Sequence, residues 1–371
     1  MDEEKLSVIA LNSLPYMHPV MYHELVKRFG SARRVFSAAP EELRGVKDVG
    51  AAMAELIKTS DPGKLAEDEI ALAEKLEADI FLLGQEGYPR PLEKIFAPPP
   101  ALYVMGQWRQ EDEMSIAVVG TRGPTAYGRH MAQKLSGDLA KAGFCVVSGF
   151  AMGIDVAAHR ATLEAGGRTV AALGCGLNIN YPADHYSLKK KIAQNGAVIS
   201  QFGLTAPPGK TTFPIRNRVV AGLTLGTLVV EAPLESGALI TAYAALDEGK
   251  EVFATPGQVN SKKSEGANRL IQKGYAKLCM GIDDIIDDLP DHARGWAKNR
   301  QLAMDLGEEK VNLELDEEER MVATALEDGQ KHIDEVAIIC GLPLGKVSAI
   351  LLSLEIKGLA RQSAGKMFMR S

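Results

Sequence analysis

Between residues 114 and about 280, short apolar runs alternate with longer stretches of mixed polarity. Ile116–Val119, Phe144–Val147, Thr169–Leu173, Ala197–Ile199, Leu228–Val230 and Glu251–Ala254 are rich in β-branched residues and almost unbroken by polar ones. That is the pattern of strands covered on both faces. After the first run, Met131, Leu135 and Leu139 repeat every four residues, and Gly143 follows where a helix would end. Strand and helix in alternation predict βαβ units and an α/β domain built on a mostly parallel sheet over residues 114–288.

The flanks read differently. Residues 1–60 are helical in pattern, rich in Ala and Leu, and predict a small all-α domain. Residues 61–113 begin with Asp61-Pro62-Gly63, carry a helical pattern over 64–77 and a short strand at 79–83, then run through Tyr88-Pro89-Arg90-Pro91-Leu92 and Pro98-Pro99-Pro100. Prolines fix φ and bias the preceding residue away from helix, so this segment is expected to be an ordered connector packed on the core. Residues 281–314 are acidic and broken up, with 289–314 expected as a linker. Three helical patterns follow, Asp316–Leu326, Ile333–Cys340 and Leu344–Lys357, and then Leu359–Met369 with Gly365 inside it. Three helices and a terminal hairpin over 315–371 outline a winged helix-turn-helix.

Composition adds exclusions. With 46% apolar and 24% charged residues, the 371-residue chain is neither wholly disordered nor collagen-like. A net charge of −6 counts at first against a nucleic-acid partner, because phosphate binding needs clustered Lys and Arg. The total misleads. Residues 114–280 hold 18 Lys and Arg against 10 Asp and Glu, a surplus of eight positive charges, whereas residues 281–320 hold 5 against 13. The sheet domain is electropositive, and the acidity lies outside it. Met1-Asp2-Glu3-Glu4-Lys5 is acidic where a secretory signal would be positive, and the longest weakly polar run, Val219–Val230, is short of the ~18–20 residues of a membrane span. Cys145, Cys175, Cys279 and Cys340 are far apart, and the seven histidines form no HExxH. A reducing cytoplasm, no membrane span, no metal and no cofactor are the expectation.

In an open parallel sheet, ligands bind beyond the carboxyl ends of the strands, so the residues just after each strand are informative. These are Gly120-Thr121-Arg122-Gly123, Ser148-Gly149 through Gly153-Ile154-Asp155, Gly174-Cys175-Gly176, Glu231 to Ser236-Gly237, and Thr255-Pro256-Gly257. Turns between strand and helix use glycine in any case, but glycines along one whole rim favour backbone N–H groups closing on an anion. Lys210-Thr211-Thr212-Phe213-Pro214-Ile215-Arg216-Asn217-Arg218 is the densest basic and aromatic segment. Pro214 at a helix start leaves Arg216 and Arg218 in the first turn, against the helix dipole, unless an anion or carboxylate sits nearby. Phe213 beside Lys210 offers a stacking face next to a charge. The alternative makes Arg216 and Arg218 scaffold residues, salt-bridged to Asp155 or Glu231, with Phe213 in the core. Gly209-Lys210-Thr211 does not complete a Walker A loop, because Gly203 lies one residue too far upstream, and no GxGxxG follows the first strand. Asp155 and His159 stand i, i+4 on one helix face, placed to hydrogen-bond each other and steady the preceding loop. Glu231 is the best lone acid, expected chiefly to balance Arg216 or Arg218.

These residues, in this order, resemble the DprA/Smf family of bacterial DNA-processing proteins. The resemblance is carried by Tyr88-Pro89-x-x-Leu92, Leu102-Tyr103-x-x-Gly106, Val119-Gly120-Thr121-Arg122, Ser148-Gly149-x-Ala151-x-Gly153-Ile154-Asp155 with His159, and Phe213-Pro214-x-Arg216-Asn217-Arg218. It continues through Val230-Glu231-Ala232, Ser236-Gly237-Ala238-Leu239-Ile240-Thr241-Ala242, Pro256-Gly257, and Gly266-x-Asn268-x-Leu270-Ile271-x-x-Gly274, so it spans roughly residues 80–280. It implies an extended Rossmann-like sheet, flanked by a SAM or helix-hairpin-helix-like domain and a winged helix. The implied function is binding and protection of single-stranded DNA, with loading of the RecA recombinase in natural transformation, and no catalytic reaction. Thr121 and Arg122 become the leading phosphate contacts, Lys210 and Phe213 their basic and aromatic partners, and Arg216 and Asn217 supports. Gly120, Ser148, Gly149 and Gly153 line the same pocket. Asp155, His159, Arg218, Glu231, Ser236 and Gly237 support it, and Leu270 and Ile271 lie in the region used for self-association as a homodimer.

Three departures qualify the resemblance. Tyr275 replaces a small residue after Gly274, Asp48 stands where a DNA-binding hairpin wants glycine, and the third winged-helix helix offers only Lys346 and Ser348 near its start. Major-groove readout needs more polar side chains there, so a protein contact or a weak DNA role is the stronger expectation for that module. The rival reading is a nucleotide-processing enzyme like the nucleoside-monophosphate phosphoribohydrolases, using Glu231. Its PGGxGTxxE-type motif is not matched by Pro233-Leu234-Glu235-Ser236-Gly237.

Overall fold

A computed structural model describes residues 2–310, 317–326, 329–356, 360–363 and 365–370. The chain forms two compact units, Met1–Lys298 and Asn299–Ser371.

The first unit opens with five helices, α1 (Glu3–Ser13), α2 (Pro19–Phe29), α3 (Ala32–Ser37), α4 (Pro40–Arg44) and α5 (Ala51–Thr59). Their starts are set locally. Asp2 and Ser31 cap α1 and α3, and Pro19 and Pro40 stand in the first turns of α2 and α4. Leu11, Leu25, Val35, Leu43 and Ile57 close their common core. Asp48 adopts φ 64°, the left-handed region that favours glycine.

The segment expected as a connector is more structured than its prolines suggest. α6 (Pro62–Lys75), β1 (Ala78–Leu82), α7 (Arg90–Glu93) and β2 (Ala101–Gly106) follow one another, and β1 and β2 join the main sheet as its antiparallel edge. β2 reads as an apolar strand that starts just after Pro98-Pro99-Pro100, contains no proline itself, and pairs with β1 on one side and β6 on the other. Beyond it run β3 (Ser115–Val119), α8 (Ala126–Lys141), β4 (Cys145–Ser148), α9 (Ile154–Glu164), β5 (Thr169–Ala172), α10 (Tyr186–Asn195) and β6 (Gly196–Ser200). Then come α11 (Thr212–Leu223), β7 (Gly226–Val229), α12 (Gly237–Asp247), β8 (Glu251–Ala254), α13 (Glu265–Gln272), β9 (Lys277–Leu278) and α14 (Asp283–Ile286).

The nine strands lie in the order β1-β2-β6-β5-β4-β3-β7-β8-β9, parallel from β6 to β9. This is the extended Rossmann-like architecture expected. One face carries α11, α12 and α13 over Ala117, Val147 and Val229, and the other carries α8 and α9 over Ile116, Val118 and Val146. From β3 the chain winds outward to β6, then returns to β7 and winds the other way. The direction therefore reverses between β3 and β7, and that is where such sheets open a crevice.

The acidic segment expected as a linker is helical from its third residue, in α15 (Asp291–Lys310). Ala293 and Ala297 are buried, and Trp296 Nε1 donates to the Gly143 carbonyl at 3.1 Å. Spacing by three and four residues makes an apolar stripe that charge alone conceals. Residues 311–314 of that segment lie outside the described residues, as do Lys357 and Leu359.

The second unit contains α16 (Glu317–Ala325), β10 (Lys331–His332), α17 (Ile333–Cys340), α18 (Leu344–Ile356), β11 (Ala360–Ser363) and β12 (Met367–Arg370). Three helices and a sheet ordered β10-β12-β11 make a winged helix, with Val322, Val336, Leu351 and Phe368 in its core. Gly365, at φ 82°, turns the hairpin. Among the described residues, no single helix is long and apolar enough to cross a membrane.

Candidate nucleic-acid interface

The crevice between β3 and β7 is a cleft of about 310 Å³. Its floor is the turn Gly120-Thr121-Arg122, and its walls come from Gly149, Asp155, Arg216, Asn217 and the start of α12 at Ser236–Ala238. Glycine is required where backbones meet. A Cβ on Gly120 would lie 2.9 Å from the Glu231 carbonyl, and Gly153, at φ 92°, would press on the Thr121 carbonyl at 2.4 Å.

The inner wall is a network that satisfies itself. Arg216 is 5% exposed; its guanidinium donates to the carbonyls of Gly149 and Ala172, and its Nε donates to Asn217 Oδ1 at 3.0 Å. Burial lowers its pKa to about 10, so it stays charged at neutral pH. Asn217 Nδ2 donates to the Gly237 carbonyl, which ties α11 to α12. Asp155 accepts from the Ala151 amide at 3.2 Å. Burial raises its pKa to about 6, with the Arg216 charge pulling the other way. Arg216 is thus a buried scaffold residue that also lines the cleft, but its partners are carbonyls and Asn217; the salt bridge expected with Asp155 or Glu231 is not formed, and Asp155 feels its charge without a direct ion pair.

Four expectations are corrected here. Glu231 balances neither arginine: its carboxylate accepts from the Thr125 amide and hydroxyl, each at 2.8 Å, and its carbonyl accepts from the Thr121 amide at 2.7 Å. It fixes the turn before α8, so the acid on which an enzyme reading rests is already engaged. Asp155 and His159 do not bond each other; His159 Nδ1 meets Thr169 Oγ1 of β5 at 2.7 Å. Since that hydroxyl donates to the Val146 carbonyl, His159 donates to it, and burial lowers the histidine's pKa to about 3. Ser148 is fully buried and donates to the Val118 carbonyl, joining β4 to β3 rather than lining the cleft. Arg218 points away from the cleft, with its guanidinium 5.5 Å from the Phe96 ring. In addition, Leu270 is 1% exposed and presents no surface, and Ile271 packs against the same core.

The outer rim is built of different material. Arg122 is exposed, and its guanidinium lies 5.1 Å from the centre of the Phe213 ring. Phe213 is half-buried. On it also leans Tyr181, ring centres 5.7 Å apart and inclined at 38°. Gly174 leaves room for the phenylalanine, since a Cβ there would lie 2.5 Å from its ring. Lys210 is exposed on the loop before α11 but is not among the residues walling the cleft. That loop is held from behind: Asn12 of α1 donates to the Gln201 carbonyl at 3.1 Å, and Glu69 of α6 accepts from the Leu204 amide at 3.0 Å. Lys263 reaches the Gly123 carbonyl at 2.7 Å and adds a further cation beside the turn.

Residues 79–290 match the DNA recombination-mediator protein A family, and residues 308–366 match the DprA winged helix domain. The chain belongs to this family. Protein Smf of Synechocystis is 30% identical over 100% of this chain and 99% of its own, and Protein Smf of Escherichia coli is 35% identical over 81% and 79%. DNA processing protein DprA of Bacillus subtilis is 37% identical over 56% of this chain and 70% of its own. Among solved structures, DNA processing protein A of Streptococcus pneumoniae superposes with a TM-score of 0.66 at 28% identity, covering 78% of this chain and 99% of that one. Its Helicobacter pylori counterpart, whose single-stranded DNA binding mode has been described structurally, superposes with a TM-score of 0.52 at 31% identity, covering 57% and 94%.

Around this DprA-family cleft, sequence reasoning missed Tyr181 at the mouth and Thr125 in the turn before α8. Tyr181 carried a signal, an aromatic next to proline in the glycine- and asparagine-rich loop after β5. Thr125 carried none beyond its place as N-cap of α8.

Proposed function

We propose that this chain binds single-stranded DNA along the cleft and its rim and, as a recombination mediator, passes it to a RecA-type recombinase without catalysing a reaction on it. The observation that carries the reading is the stack of Arg122, Phe213 and Tyr181 at the mouth of a glycine-lined cleft. A ring beside a cation holds a base by its π-face and the adjoining phosphate by charge, which tolerates any sequence. Behind it, Arg216 offsets the Asp155 carboxylate in the same wall, and the N-terminus of α12 faces the cleft. Support also comes from the electropositive composition of residues 114–280 and from the family's description as recombination mediators.

Self-association belongs to the same proposal. It is carried by Tyr243, Tyr275, Leu278 and Met280, all more than 40% exposed at the β9 edge of the sheet, rather than by Leu270 and Ile271. In the winged helix, Ile338, Ile339, Leu344 and Leu352 are exposed on α17 and α18, a surface suited to protein rather than to a DNA groove. The test is fluorescence anisotropy with labelled oligothymidine and with duplex of equal length. Oligothymidine is expected to bind at least as tightly as duplex, and Arg122→Ala to weaken it. Stronger duplex binding, or an Arg122→Ala protein that binds as before, contradicts the reading.

A further inference from the structure

The loop 178–186 has two sides. On one, Tyr181 and Pro182 border the cleft mouth beside Arg122 and Phe213. On the other, Asn178, Asn180 and Tyr186 border a groove of about 670 Å³, lined also by Lys75 at the end of α6 and by Lys189 and Lys190 of α10. The groove repeats the chemistry of the rim. Tyr186 is 50% exposed, and Lys190 Nζ stands 4.8 Å from its ring centre, the same pairing of cation and ring that Arg122 and Phe213 make. Glu77 is the one acid on the lining, against three lysines.

The loop between the two depressions is braced. Lys189 is 5% exposed, and its Nζ donates to the Leu177 carbonyl at 2.5 Å and to that of Ile179 at 3.4 Å. Asn180 Nδ2 donates to the Ala183 carbonyl at 3.2 Å, closing the loop on itself. A fixed partition with an aromatic toward each side suits a strand that crosses it, because each base meets a preformed platform.

We propose that the groove is a second segment of the single-strand track, in which Tyr186 stacks a base and Lys75 and Lys190 neutralise backbone phosphates. This rests on the cleft being the first segment. A short oligonucleotide then occupies the cleft alone, and a long one crosses the loop and occupies both.

The test compares the full-length protein with a Tyr186→Ala/Lys190→Ala variant and with the charge reversal Lys190→Glu, using labelled oligothymidines of 5 and 30 nucleotides across a salt series. Tyr186 and Lys190 are exposed, and thermal unfolding checks that the fold is kept. The 5-mer is expected to bind all three proteins equally. The 30-mer is expected to bind the double variant about tenfold more weakly than the unmodified protein. Its log-affinity against log-salt slope should be shallower by about 0.7, the share of one lysine–phosphate contact. Lys190→Glu should weaken the 30-mer alone as well. Equal 30-mer affinity and slope in all three proteins overturns the groove. If the unmodified protein binds neither length, the cleft reading itself fails, and the groove proposal falls with it.

Discussion

The inner wall of the cleft and its outer rim stand side by side in the fold and are opposite in character. Arg216 and Asn217 are buried and spend their hydrogen bonds on carbonyls and on each other, whereas Arg122 and Lys210 are exposed and Phe213 is half-exposed. The wall holds the turns that the rim stands on. The lesson is that a charged residue in a binding motif is not thereby a contact residue. Burial and saturation with protein partners mark residues that build the cleft, whereas exposure beside an aromatic face leaves a cation free to meet a ligand.

The comparison breaks most visibly at Arg216. Arg216→Ala leaves Asp155 without its counter-charge and two buried carbonyls without a donor, so it is expected to cost about 3–5 kcal/mol in denaturant unfolding. Arg122→Ala is expected to leave unfolding unchanged. A folded, equally stable Arg216→Ala protein contradicts the division between wall and rim.

Phe213→Ala addresses the rim. It should remove about 1–3 kcal/mol of oligothymidine binding, the worth of one stacked base, and Phe213→Trp should restore it. Loss of binding in both variants alike indicates a packing role instead.

The third effect is a pH dependence. Asp155 has its folded pKa raised to about 6, so it is neutral below that pH and negative above it. A carboxylate in the cleft wall repels phosphate. Affinity for oligothymidine is therefore expected to fall as pH rises through about 6, by on the order of 1 kcal/mol, and the fall should vanish in Asp155→Asn. A profile that keeps this step in Asp155→Asn assigns it to another group.

Smallest is the brace behind the loop before α11. Asn12→Ala deletes the hydrogen bond to the Gln201 carbonyl and is expected to cost about 1 kcal/mol of stability, with a still smaller loss of oligothymidine affinity.

Most of the sheet was legible in the sequence because buried strands are apolar runs. β3 through β8 stand where Ile116–Val119 and its successors predict them. The segment before β3 was harder. The prolines just before it mask β2, which pairs with β1 and with β6, a partner more than 90 residues later. At the site, the rim cations, the glycines and Phe213 could be read from residue type and position. Glu231 could not, since its partner Thr125 lies 106 residues away in sequence and is brought close only by the pairing of β3 with β7. Local pattern reveals which residues are available for chemistry, and long-range pairing decides which are already engaged.

The central claim, that exposed rim cations meet phosphates while the buried wall supports them, is tested most directly by a salt titration of oligothymidine binding with Arg122→Ala/Lys210→Ala. The account predicts a log-affinity against log-salt slope shallower by about 1.4, two phosphate contacts' worth, with the unfolding midpoint unchanged. A slope identical to that of the unmodified protein contradicts it.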